Sequence, residues 1–138
     1  MCIRDRGHPA SCAAGLATMD VLQNTSILDS SANELAPYFA KALESLADHP
    51  VVGQVRAKGL VAAVELIKDK GSRERLAPES GGAVYTRDRA IENGLMLRQT
   101  GDAMIMSPPF VTSTEEVDAL VSKLTSALDR TAAFYDVK

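Results

Sequence analysis

"VVGQVRAKGLVAAVELIKDKG", residues 51–71, is where the pattern of the chain changes. Before it, apolar residues recur at helical intervals. Within it, Val52, Val55, Leu60, Val61, Val64, Leu66 and Ile67 form a β-branched run broken by Gly53, Gly59 and Gly71. Branching at Cβ restricts χ1 and suits a pleated surface, while glycine punctuates strands. Two short strands are therefore expected, about Gln54 to Ala57 and Leu60 to Ile67.

Toward the C-terminus, "LMLRQTGDAMIMSPP" (95–109) offers two more short strands joined by Gly101-Asp102, a composition that favours a tight corner. Between the strand pairs, "DKGSRERLAPESGG" (69–82) is polar and punctuated, and reads as an exposed loop with one helical turn. It leads into "AVYTRDRAIENG" (83–94), a helix with Val84, Arg87 and Ile91 on one side and Gly94 as its C′ residue. The last segment, "TSTEEVDALVSKLTSALDRTAAF" (112–134), has Thr112 or Ser113 as N-cap with Glu115 or Glu116 three residues on. Its stripe is Val117, Leu120, Val121, Leu124 and Leu128.

Toward the N-terminus, "SILDSSANELAPYFAKALESLADHP" (26–50) sets Ile27, Leu28, Leu35, Phe39, Leu43 and Leu46 near one helical stripe. Pro37 kinks or interrupts that helix and Pro50 ends it. "GHPASCAAGLATMDVLQN" (7–24) starts with proline in the first turn and continues with small and apolar residues, so a helix buried on several faces is expected. The order is helix, helix, strand, strand, helix, strand, strand, helix. This is an α/β chain (a small α+β-like domain): a small mixed sheet of about four short strands, covered on one side by helices. The other face of the sheet must meet solvent or another domain.

With 138 residues the chain suits one domain with its own core. Acidic and basic residues are interleaved around a net charge of −3, so there is no basic face for nucleic acid. An aromatic fraction of 4% without tryptophan leaves no stacking platform. No segment approaches the roughly 20 apolar residues of a membrane span, and the start carries no export signal. Two cysteines without metal-ligand spacing fit a reduced, cytoplasmic setting.

The catalytic inventory is short. There is no phosphate-binding glycine loop, nucleophile elbow or meaningful carboxylate pair. Cys12 reads as a buried small hydrophobe, and His49 before Pro50 as a helix-end residue. Glu65 either points to the wet face or pairs with Arg56 or Lys58. Asp102 is what turn chemistry selects. Arg98 stands apart: alternation places Leu97 and Gln99 on one face and Met96, Arg98 and Thr100 on the other. A guanidinium there must meet water or a carboxylate, and spacing leaves open a solvated edge residue or an anion site.

Three segments in register, "GHPASCAAGLA" (7–17), "VRAKGLVAAVEL" (55–66) and "GLMLRQTGDAMIMSPPFVTSTEEVD" (94–118), resemble the class III, or omega-amino-acid, pyridoxal-phosphate-dependent aminotransferases. The likeness runs from Gly7 to about Leu128. It implies the C-terminal part of a fold-type I subunit: an interdomain helix over residues 7–24 and a small domain over 25–138, packed on a large domain. In that family a lysine of the large domain carries pyridoxal 5′-phosphate as a Schiff base, and an upstream aspartate pairs with the pyridinium nitrogen. Neither position lies in this chain.

The resemblance implies further that Arg98, in "R-x-x-G-D", binds the substrate or co-substrate carboxylate. The parent enzyme would be a homodimer moving an amino group from an amine or amino acid to a keto acid such as pyruvate, and this piece alone would be inactive. The family has a Ser/Thr-rich stretch before "GHP", where this chain reads "MCIRDR", so residues 1–6 are expected to be a non-native leader. The alternative is a stand-alone small α/β module binding an amino acid or anion at Arg98. An upstream reading frame with a cofactor-lysine segment would decide for the enzyme.

Overall fold

The computed structural model describes residues 7–76 and 81–137; the leader expected at 1–6 lies outside the described residues. Helix α1 (Pro9–Asn24) begins as the sequence indicates, with Pro9 in its first turn. His8 is its N-cap, the imidazole accepting from the Ser11 N–H at 3.3 Å. The expected burial does not occur: no residue of α1 is buried, and Leu16, Met19 and Val21 are each more than half exposed. Cys12 is exposed with them, which corrects its reading as a core residue. The physical reason is that no other described element packs closely against this helix, so its small and apolar side chains have nothing to bury against.

The second helical stretch runs on through its proline without ending there. Helix α2 (Ile27–Ser30) runs through a π turn (Ser31–Leu35) into α3 (Ala36–Glu44). Pro37 has no N–H to donate, and its ring clashes with the carbonyl four residues back in a regular α-helix. The wider π turn just before it relieves that clash, with the Ala36 N–H bonded to the Ser31 carbonyl. Phe39 and Leu43 on α3 are fully buried.

Strands β1 (Val52–Lys58) and β2 (Val61–Asp69) form the first hairpin, each slightly longer than the sequence suggests. A bulge between Val52 and Gln54 centres on Gly53, whose lack of a side chain leaves room for Ile67. The 69–82 loop contains a two-residue strand, β3 (Glu74–Arg75), paired with β2, where a helical turn was expected; residues 77–80 lie outside the described residues. Helix α4 (Gly82–Glu92) precedes β4 (Arg98–Thr100) and β5 (Ala103–Met106), and α5 (Thr114–Tyr135) closes the described fold. Gly94 follows α4 at φ 73°, as a C′ glycine should.

The sheet order is β1-β2-β5-β4, with β3 against β2. Among the described residues every ladder is antiparallel, so the sheet is not mixed as expected: both strand pairs are hairpins and β5 returns beside β2 in the opposite sense. Val64, Leu66, Met104, Met106 and Leu97 point to the helical side and are buried with Phe39, Leu43, Leu124 and Leu128. Burying each such side chain stabilises by about 1.5–3 kcal/mol. On α4 the inward face is Ala83, Thr86 and Ala90, whereas Val84 and Ile91 are exposed. Small residues let α4 approach its neighbours closely. A Cβ on Gly82 would stand 2.5 Å from the Leu76 carbonyl oxygen.

Among the described residues no helix covers the other sheet face. Register places Arg56, Ala63, Ile105 and Arg98 in one row across it, with Gln54, Glu65, Ala103 and Thr100 in the next. All eight are exposed or half-buried.

Candidate functional site

Arg98 is the first residue of β4, which is an edge strand. Alternation holds around it: Leu95 and Leu97 are buried, while Met96 is 87% exposed and Arg98 is exposed. The hairpin that carries it turns at Gly101, whose φ of 57° fits a corner with glycine at the first central position. The next residue anchors the corner to the rest of the sheet. The Asp102 carbonyl accepts from the Leu66 N–H at 2.8 Å, and its carboxylate is gripped by the Arg75 guanidinium. Hydrogen bonding to that carboxylate raises the Arg75 pKa above its ordinary value.

A groove of about 1070 Å³ runs along the free edge of β4, bounded by segment 107–112 and the first half of α5. Its apolar lining includes Met96, Pro108, Pro109, Val111 and Leu120, and its charged groups are Arg87, Arg98, Glu116 and Lys123. Three of these four are engaged locally. Arg87 donates to the Asp88 carboxylate at 2.7 and 2.9 Å. Lys123 donates to the Gly94 carbonyl at 3.3 Å, and Glu116 accepts the Ser113 N–H at 2.9 Å within the α5 capping box.

Among the described residues, Arg98 takes part in no ion pair. Its planar fork of donors is open to a ligand beside an apolar wall, the arrangement that takes a carboxylate bidentately.

The other sequence candidates fall elsewhere. Glu65 lies on the uncovered face and meets Arg56 at 3.8 Å. His49 bridges to Asp129 at 3.1 Å through Nε2, while Nδ1 accepts the Val51 N–H at 3.4 Å, so both ring nitrogens serve the fold. Cys12 is on α1, which contributes no residue to the groove. Among the described residues no cluster of three or more His, Cys, Asp or Glu could hold a metal ion. Sequence reasoning missed the Arg75–Asp102 contact and the engagement of segment 107–112 by the π turn, neither of which has a local signal.

A family model for class-III aminotransferases matches residues 6–128. The chain is 41% identical over 127 residues to a putrescine–pyruvate aminotransferase of Pseudomonas aeruginosa, covering 92% of this chain and 28% of that protein. It is 34% identical over 125 residues to gamma aminobutyrate transaminase 3 of Solanum lycopersicum, a chloroplastic protein, covering 91% of this chain and 24% of the relative. Among solved structures, the omega transaminase from Pseudomonas jessenii in complex with PMP superposes with a TM-score of 0.87 at 31% identity, covering 94% of this chain and 28% of that one. The chain thus spans about a quarter of the length of these relatives.

Proposed function

The chain belongs to the class III aminotransferase family, and on that premise we propose that it is the C-terminal portion of a pyridoxal-phosphate-dependent transaminase in which Arg98 grips the carboxylate of the keto acid or amino acid. Residues 7–24 form the interdomain helix of this reading and residues 25–138 the small domain. The intact enzyme is a homodimer that moves an amino group from an amine or amino acid to a keto acid such as pyruvate.

One observation carries the role of Arg98: a guanidinium that meets no carboxylate among the described residues, at the wall of a large, mostly apolar groove whose other cations are engaged. Two more support the domain reading. Helix α1 exposes Leu16, Met19 and Val21, and the sheet leaves a whole face uncovered, surfaces that a large domain would bury.

Pyridoxal 5′-phosphate supplies the carbonyl and electron-sink chemistry of such a transfer. The described residues do not fit as its site. A nucleophilic lysine needs a desolvated pocket or a cationic neighbour to lower its pKa, and Lys41, Lys58, Lys68, Lys70 and Lys123 are all exposed. We therefore assign the cofactor to the rest of the intact enzyme, and this chain by itself has no turnover.

The test is Arg98→Ala in the intact enzyme. Loss of a charge-assisted grip worth about 1.5–3 kcal/mol lowers kcat/KM for pyruvate roughly ten- to hundredfold while sparing a simple monoamine. Equal loss for both classes would remove Arg98 from carboxylate recognition.

A further inference from the structure

The wall of the Arg98 groove is not free-standing. Segment 107–112 carries Pro108, Pro109 and Val111 into the groove and has no strand or helix of its own. It is held from behind by the helix that contains the π turn. Ser31, only 5% exposed, donates from Oγ to the Phe110 carbonyl at 3.2 Å, a contact 79 residues apart in sequence. Seven residues further along the same helical stretch, the Tyr38 hydroxyl donates to Asp118 Oδ1 at 2.8 Å in the first turns of α5. The two contacts bracket Val111 to Val117, which includes the Ser113–Glu116 capping box, and Glu116 itself lines the groove.

The π turn has a consequence here beyond accommodating Pro37. One extra residue per turn rotates what precedes it by about 100° relative to a continuous α-helix. In the observed phase Ser31 lies inward with Leu35, Ala36, Phe39 and Leu43, and its hydroxyl finds a backbone carbonyl rather than water. Buried hydroxyls are as a rule hydrogen-bonded, and this bond ties Phe110 to the helix. Hydrogen bonding to Asp118 raises the Tyr38 pKa, in keeping with the phenol as donor.

We propose that Ser31 and Tyr38 are positioning residues: they latch the outer wall of the groove, set its width beside Arg98, and so govern which apolar substrate groups it admits. This rests on the reading of the groove as the substrate site. It adds a specificity role for two side chains that do not touch substrate.

The experiment compares wild type, Ser31→Ala, Tyr38→Phe and Arg98→Ala in the intact holoenzyme. The readouts are kcat and KM for a short alkylamine and a bulky arylalkylamine, with pyruvate at saturation, and kcat/KM for pyruvate. The expected result for Ser31→Ala and for Tyr38→Phe is a change of about threefold or more in the short-to-bulky kcat/KM ratio, with kcat for the short amine preserved. A merely structural role would scale both amines together by the active fraction and leave the ratio unchanged, and that result in both variants overturns the proposal. Tyr38→Phe keeps the exposed ring and tests the latch even if Ser31→Ala folds poorly. Arg98→Ala separates the two readings: an undiminished kcat/KM for pyruvate there counts against the carboxylate grip alone, while the amine ratio in the latch variants reports on the wall.

Discussion

Replacing Gly53 with alanine probes how closely β1 approaches β2 at the bulge. A Cβ built there stands 2.6 Å from Ile67 Cγ2, 3.0 Å from Cδ1 and 3.1 Å from Cγ1. The backbone φ of Gly53 is not positive, so the penalty comes from crowding and not from torsion. Ile67 is 8% exposed and sits in a ladder with β3, which limits how far it can move. Overpacking of this kind costs about 1–3 kcal/mol. At roughly 3–4 °C per kcal/mol for a chain of this size, the melting temperature falls by about 3–12 °C. All three crowded atoms belong to one side chain, so Ile67→Ala removes them together. Alone it costs about 2–5 kcal/mol through the cavity it leaves. The double variant should then cost less than the sum by about 1–3 kcal/mol, the clash having disappeared. Urea titration of the four proteins measures this through the midpoints, provided the slopes agree. Additive midpoints, or an unchanged midpoint for Gly53→Ala, would refute the steric argument.

Ser113→Ala removes the hydroxyl that accepts the Glu116 N–H in the α5 capping box, and is expected to lower stability by about 1 kcal/mol, read as a shift in the urea midpoint. Asp69 accepts from the Ser72 hydroxyl and N–H, which lowers its pKa below the ordinary value. A depressed folded pKa adds stability above the unfolded pKa that is lost as pH falls through the folded one. The acid limb of the melting profile should therefore be shallower in Asp69→Asn, and identical limbs would contradict this. This chain mixed with pyridoxal phosphate and borohydride should yield no stoichiometric adduct on a single lysine; mass spectrometry of a uniquely modified lysine would contradict its assignment as a piece without the cofactor site.

The sequence spoke most clearly where one local rule decided the outcome. The Ser113–Glu116 box, Gly94 after α4 and the Gly101-Asp102 corner all appear where turn and capping chemistry put them. Val64, Leu66 and Met104 likewise lie inward as strand alternation requires. What failed depended on distant partners. The composition of α1 suggests burial, yet burial needs a surface to pack against, and no described element supplies one. Periodicity puts Val84, Arg87 and Ile91 on one side of α4 without saying which side is inward; the buried face is Ala83, Thr86 and Ala90. There, the Thr86 and Thr131 hydroxyls meet at 2.9 Å across the α4–α5 interface, a pairing 45 residues apart that no periodicity reveals. The π turn was implied only as trouble at Pro37. For the site, alternation placed Arg98 on one face with Met96 and Thr100, whereas the groove beside it required the fold, since its wall comes from 107–112 and α5.

The central claim is that Arg98 is the carboxylate grip of the substrate site. The most direct measurement is a crystal structure of the intact enzyme with a keto acid bound. The account expects two nearly parallel N–H···O contacts of about 2.7–2.9 Å from the Arg98 guanidinium to the ligand carboxylate, with Pro108, Pro109 and Val111 against its apolar part. A keto acid bound in the active site with its carboxylate held by other groups, and Arg98 left in solvent, would contradict it.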